Sequence, residues 1–357
     1  MKFSVSLYLE RKSPQMQMGE VKQNLLDLAK MADQGGFEAI WTAEHHTIEL
    51  TVAPNPFTVL TWLGQHTEQI RLGTATIVAP YWDPIRLAGE AALCDHLTNG
   101  RLELGIARGS YQYEFDRMAG GIHQQKGVAY MKELLPAVRK LWEGDYAHDG
   151  EFWKFPTATS VPKPLQQPHP RIWVAARDPG TFDWAVGQGA SILSTPLAAP
   201  NSEIAVLGAK FDKAVADHPE VARPRFMMQR RACAFEKPED KQVAIECSVE
   251  YGRLFENLFQ NLGNIKNGFP EPVPYDSVSG KENYNPESIA RNFLFGTPDE
   301  LIEKLLMYEA AGVDQVSLGI NFNLPVYLQK NTIRLFAKEI IPFFADRERR
   351  VRLDAAQ

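Results

Sequence analysis

Short apolar runs alternate along this chain with longer stretches whose apolar positions recur at helical spacing. Residues 2–9 read as a first strand. Residues 20–34 place Val21, Leu25, Leu28, Met31 and Ala32 on one helical face and stop at Gly35-Gly36. Residues 37–42 predict a second strand, 57–66 a helix, and 70–78 a third strand. A helix over 84–97 starts on a proline suited to a first turn and ends before Asn99-Gly100. Residues 102–107, 172–176, 191–193, 225–235 and 314–320 complete a set of eight strands, and a closing helix is expected from about 332 to 344.

Strands alternating with helices over short links predict a parallel sheet with right-handed crossovers. An open doubly wound sheet would need a glycine-rich turn after the first strand, and Glu10-Arg11-Lys12 is not one. The expected fold is an α/β (β/α)8 TIM barrel forming a single domain over 1–357, a length that such barrels accommodate as one unit. Two segments break the rhythm: about 144–170, with five prolines, and about 261–286, rich in Gly, Pro and Asn. Both are expected as insertions at the C-terminal face, where such segments often act as lids.

Composition narrows the class. At 44% hydrophobic and 23% charged, the chain has the balance of a soluble globular enzyme. A net charge of -6 argues against a nucleic-acid surface, and the basic run at 347–352 reads as a solvated helix end. Cys94, Cys233 and Cys247 are isolated from one another, so a disulfide framework is not expected. No signal-peptide pattern or membrane-length apolar run is found, and a cytoplasmic protein is expected.

Barrel active sites lie where strands end. Those ends carry Glu44-His45-His46, Ala79 to Trp82, Arg108 to Tyr111, Arg177 to Thr181, and Ser194-Thr195. Adjacent histidines on a strand point to opposite faces, so Glu44 and His46 could share a metal where His45 and His46 could not. No third ligand is evident at another strand end. A structural pair or a catalytic imidazole are the other readings. Arg108, Arg177 and a helix start at Asp178 to Thr181 suit a phosphate, although a plain helix cap with surface ion pairs explains the same residues. Small residues in the third strand, Gly73 and Ala75 on one face, would let a flat ligand reach the backbone or simply make room for Trp41. The small cluster Ala88, Gly89, Ala91, Ala92 suits either a subunit seam or packing on the barrel. Trp41, Tyr81, Trp82 and Tyr111 are expected at the barrel mouth.

Several segments closely resemble the bacterial luciferase alpha subunit: 37–46 (FEAIWTAEHH), 72–84 (LGTATIVAPYWDP), 100–115 (GRLELGIARGSYQYEF), 174–185 (VAARDPGTFDWA) and 295–312 (FGTPDELIEKLLMYEAAG). Their order and spacing are kept from residue 1 to about 345. The resemblance to luciferase-like flavin-dependent monooxygenases implies that reduced FMN is taken from a separate NAD(P)H-dependent reductase. Oxygen would add to the flavin 4a carbon and then oxidise a small organic substrate such as an aldehyde or ketone. It implies a homodimer. His45 matches the catalytic histidine, and the Ala75-Thr76 peptide matches a non-proline cis bond beneath the flavin ring. Arg108 and Thr181 match phosphate-binding positions, and Tyr111 and Ser194 match positions near the flavin. Arg177 and Asp178 depart from the luciferase pattern: the first would strengthen phosphate binding, and the second would oppose it unless used as a cap. Ala107 stands where luciferase has a reactive cysteine, so light emission is not implied. A deazaflavin-dependent dehydrogenase or reductase of the same fold and a non-catalytic flavin-binding subunit are the alternative readings.

Overall fold

The computed structural model describes residues 1–260 and 263–354. Eight parallel strands close on themselves: β1 (Lys2–Ser6), β2 (Ala39–Thr42), β3 (Arg71–Thr74), β4 (Leu102–Ala107), β5 (Arg171–Ala175), β6 (Ser191–Ser194), β7 (Phe226–Ala234) and β8 (Gln315–Gly319). Each pairs with its neighbour in sequence, and β8 pairs with β1 from Lys2↔Gln315 to Ser6↔Gly319. The strands are almost wholly buried because helices cover their outer face and side chains fill the interior, as an all-parallel sheet requires. The eight predicted strands thus fall on the barrel strands.

The third strand differs from expectation in one respect. Its ladder stops at Thr74 and resumes at Ile77–Val78, which pairs with β4 at Ile77↔Ile106. Between them lies the Ala75-Thr76 peptide, which is cis. The Thr74 hydroxyl bridges the gap, donating to the Gly105 carbonyl and accepting from the Gly105 N–H, both at 2.8 Å. A Cβ on Gly105 would lie 2.0 Å from the Thr74 carbonyl oxygen, so only glycine permits this approach.

Below that break the barrel is plugged. Trp41 and Trp173 meet edge to face at 5.3 Å, packed with Ala39, Leu193 and Met227. The Trp173 indole donates to Glu103 at 2.6 Å, and Glu103 also receives Arg71 and Arg171. Gly73 faces this plug: an added Cβ would sit 2.2 Å from the Trp41 ring. At residue 73, then, the small side chain makes room for Trp41, and Trp41 forms the floor rather than the mouth. Trp82 is also buried, edge-on to Phe57. Ala88 and Ala91 belong to the main core, which settles their role as packing against the barrel.

The two long segments go to opposite ends. Residues 144–170 form an antiparallel hairpin, Tyr146–Asp149 with Lys154–Ala158, then return to the start of β5. Gln166 there bonds Asp95 and the Leu102 carbonyl and receives Arg71, which places this segment at the N-terminal end of the barrel. The C-terminal location expected for it is corrected: a segment that feeds a strand must end where the strand begins. The second segment begins with two residues outside the described ones. From 263 onward it carries a small hairpin, Ile265–Lys266 with Phe269–Pro270, whose Gly268 carbonyl accepts the Glu49 N–H from the loop after β2. It therefore does sit at the C-terminal face. The closing helix is also longer than expected, running as Val326–Leu335, a π turn Phe336–Ile340, and Ile341–Asp354.

Gly73→Ala should cost about 1–3 kcal/mol, the usual range for overpacking a tight core. Chemical denaturation of the variant beside wild type measures this, and an unchanged midpoint would mean that the Trp41 ring is free to move.

Candidate active site

At the C-terminal ends of β2 to β6 lies a cavity of about 500 Å³. It is lined by His45, Ala75, Thr76, Arg108, Tyr111, Arg177, Asp178, Thr181 and Ser194, so all nine positions singled out in the sequence meet around one space. A second chamber of about 520 Å³ adjoins it, and Ala43, His45, Ala75, Tyr111, Thr195 and Gln229 line both.

The adjacent histidines divide their work. His45 Nδ1 lies 3.1 Å from a Glu114 carboxylate oxygen, and that same oxygen accepts the His46 N–H at 2.7 Å. His46 turns away and pairs through Nε2 with Glu44 at 2.7 Å. The second Glu44 oxygen accepts the Val78 N–H and the Trp82 indole at 2.7 and 2.8 Å. Glu44 and His46 thus fasten the loop after β2 to the segment where β3 resumes, and a hydrogen bond rather than a shared ion accounts for their facing each other. Among the described residues, no group of three or more His, Cys, Asp or Glu side chains is placed to hold a metal.

Glu114 was missed from the sequence. It sits on the short helix Gln112–Met118 and is buried. Nothing local marks it as the partner of a histidine 69 positions earlier. Burial disfavours the His45 imidazolium, but the charge and hydrogen bond of Glu114, with Glu44 behind it, outweigh this and raise the His45 pKa above its ordinary value. Tyr111, whose ring lies 5.3 Å from that of His45, has its phenol pushed far up by burial and stays neutral.

At the other end of the cavity Arg108 follows β4 and bonds Gln124. Asp178 caps the helix Pro179–Gly187: one carboxylate oxygen accepts the Thr181 N–H at 2.9 Å and the other its hydroxyl at 2.7 Å. Burial works against the Asp178 charge, yet these bonds and the nearby Arg108 hold its carboxyl below the usual range. Asp178 is therefore a cap, and it takes up both the N–H and the hydroxyl of Thr181. The Ser194 hydroxyl donates to the Ala176 carbonyl at 2.7 Å. Arg177 is exposed at the rim.

Between these ends the backbone is bare. The Ala75 N–H donates to Thr42 and the Thr76 carbonyl accepts from Glu44. The peptide's own groups, the Ala75 carbonyl and the Thr76 N–H, have no protein partner among the described residues. A flat, polar-edged ring laid here would find a donor and an acceptor side by side, with a cationic end at Arg108.

Known proteins resemble this chain over most of its length. The family described as luciferase-like monooxygenase matches residues 1–315. The oxygenase component of a flavin-dependent trigonelline monooxygenase from Acinetobacter baylyi is 39% identical over 346 residues, covering 97% of this chain and 96% of that one. An alkanal monooxygenase alpha chain from Photorhabdus luminescens is 25% identical over 324 residues, covering 90% and 75%. Among solved structures, the monooxygenase RslO1 from Streptomyces bottropensis superposes with a TM-score of 0.79 at 26% identity, covering 96% of this chain and all of that one. The chain belongs to the luciferase-like monooxygenase family.

Proposed function

We propose that this protein is the oxygenase of a two-component flavin-dependent monooxygenase, taking reduced FMN from a separate NAD(P)H-dependent reductase and using O2 to oxygenate a small organic molecule. What supports the reading most is the single cavity that joins an anion-binding end at Arg108 and the Thr181 helix start to a bare peptide and then to His45. Reduced flavin supplies the electrons and the carbon at which oxygen is activated. The chain supplies the rest. Arg108 and the start of the helix Pro179–Gly187 hold the phosphate. The Ala75 carbonyl and Thr76 N–H meet the ring edge. Nδ1 of His45 is engaged by Glu114, so Nε2 is the nitrogen left to exchange a proton with the occupant of the cavity. Because Glu114 raises its pKa, His45 holds that proton to a higher pH than a free imidazole would.

Trigonelline, for which the Acinetobacter relative is named, is the first substrate to test, with aldehydes and ketones as the second group. The homodimer expected from the resemblance would find an apolar face at Leu93, Leu97, Val161 and Leu165, all exposed. These lie together, since the Lys163 carbonyl receives His96 and Leu165 abuts Gly100. Among the described residues, no helix is long and apolar enough to cross a membrane.

Four outcomes are expected. Arg108→Ala should weaken FMN roughly 10- to 100-fold in fluorescence titration while leaving riboflavin binding unchanged, the effect of losing one charge-assisted phosphate contact. Equal losses for both flavins would move the phosphate elsewhere. With a flavin reductase, NADH and trigonelline or a ketone, His45→Ala should lower coupled oxygen turnover roughly 10²–10⁴-fold. Glu114→Gln removes the main influence raising the His45 pKa and leaves burial, which lowers it. The limb of the pH–rate profile governed by His45 should then move to lower pH, and an unmoved limb would dissociate the two residues. Finally, sedimentation should find a dimer for wild type and a monomer for the Leu93→Glu, Leu97→Glu double variant; a monomeric wild type would discard this face.

A further inference from the structure

We propose that the second chamber binds a planar aromatic carboxylate, with Arg231 as the anchor that selects for the negative charge. The proposal rests on the first cavity being the flavin site, since the substrate then approaches from the side shared by His45 and Tyr111.

Residues Arg230 and Arg231 are neighbours on β7 and point to opposite faces of the barrel wall. Arg230 is fully buried, gives its Nε and Nη2 to the carbonyls of Asn292 and Ala199, and also reaches the chamber wall, where its Nη1 has no partner among the described residues. With Nε and Nη2 both committed, Arg230 has no edge left for a two-bond contact. Arg231 points inward and also lines the second chamber. Its Nη1 donates to the Ser248 carbonyl at 2.9 Å and to the Ser248 hydroxyl at 2.8 Å. Its Nε and Nη2 have no acceptor, and no carboxylate lies within 4.0 Å of its guanidinium, among the described residues. Around it stand the rings of Tyr251, Phe293 and Phe322, at 5.1, 5.5 and 5.9 Å from its central carbon. Glu10 is the carboxylate whose charge reaches it, but Glu10 accepts the Asn323 N–H and lies 3.9 Å from Lys12.

A partly buried arginine with no carboxylate in contact is held at a cost, and burial does press its charge downward. The free edge formed by Nε and Nη2 is the one that meets a carboxylate with two parallel hydrogen bonds. A ligand carboxylate would complete the pair that the protein leaves open.

The walls define the remainder of the ligand. Tyr111, Phe255 and Tyr251 follow one another at centroid distances of 6.1 and 4.7 Å, and Phe259 adds to the same wall 4.8 Å from Tyr111. This aromatic face leads from His45 to Arg231. It suits a flat ring, because stacked and edge-on contacts both favour planar partners. With the carboxylate on Arg231, the far edge of the ring points back to the shared boundary near Ala75 and His45. Gln229 stands at that boundary with its amide N–H groups committed to Ser6 and Tyr8, which leaves its carbonyl oxygen as an acceptor for the ligand.

Calorimetric titration of the full-length protein, with and without FMN, tests this using matched probes: nicotinate, N-methylnicotinate (trigonelline) and benzoate against their uncharged-headgroup amides. Wild type should bind at least one carboxylate roughly 10- to 100-fold more tightly than its amide, the worth of one charged, two-bond contact. Arg231→Gln should abolish that preference by weakening the carboxylate alone, and Arg231→Lys should restore part of it. FMN affinity should be the same in all three proteins. No carboxylate preference in wild type, or a preference that survives in Arg231→Gln, overturns the proposal. If Arg231→Gln fails to fold, the wild-type comparison decides alone. Loss of FMN binding with retained, Arg231-dependent carboxylate binding would instead sink the flavin assignment of the first cavity and spare the anchor.

Discussion

The hydroxyl of Thr74 makes two bonds to one residue, giving its proton to the Gly105 carbonyl and taking that of the Gly105 N–H. A barrel strand cannot ordinarily leave its ladder, because each departing backbone group would be buried without a partner. Here a side chain stands in for the missing ladder step. β3 is thereby released for two residues, and the Ala75 carbonyl and Thr76 N–H are left without a protein partner among the described residues. Every later feature of the site is arranged around that exposed peptide. The Trp41–Trp173 plug holds it up from beneath, and Gly73 exists so that the plug fits. The second Glu44 oxygen takes the Val78 N–H where the strand resumes, so the loop carrying His45 is tied to the same break.

This arrangement explains why two consecutive histidines serve different ends. His46 and Glu44 are an anchor whose bonds are all internal. His45 is held by a single carboxylate on another element, and its remaining nitrogen is free for chemistry. Two carboxylates thus lie near one imidazole, and their combined field overrides the desolvation that would otherwise neutralise it. The same field bears on the phenols of Tyr81 and Tyr111, which burial already keeps protonated. Among these three groups the imidazole is the one whose charged form its surroundings favour.

Much of this was legible in the sequence. Alternating strand and helix periods place all eight barrel strands, and the segments resembling luciferase bring nine residues into one cavity that local pattern alone would have left scattered over 150 positions. What could not be read has a common cause. Glu114 meets His45, and Gln166 meets Arg71, only through tertiary folding, and neither leaves a trace in local periodicity. The 144–170 segment looks like a lid by composition, but its destination depends on whether it follows a strand or precedes one. Trp41 resembles a mouth residue until the taper of the barrel is known, and then it is the floor.

The two chambers divide one reaction between unlike surroundings. On one side the lining is polar and cationic at its far end, suited to a phosphate and a ring edge. On the other it is largely aromatic, with Arg231 presenting a free guanidinium edge. A charged cofactor tail and a charged substrate would compete for one another's arginines if both lay in a common basin. Separate anchors, Arg108 after β4 and Arg231 on β7, would orient the two molecules in opposite directions, so that their reactive edges would meet at the boundary that His45, Tyr111 and Gln229 line. Positioning of that kind is where enzymes gain most from fixed binding groups, since it replaces a chance encounter by a held one. On this reading the proton-bearing residue is His45, which lines both chambers, while each arginine lines only one.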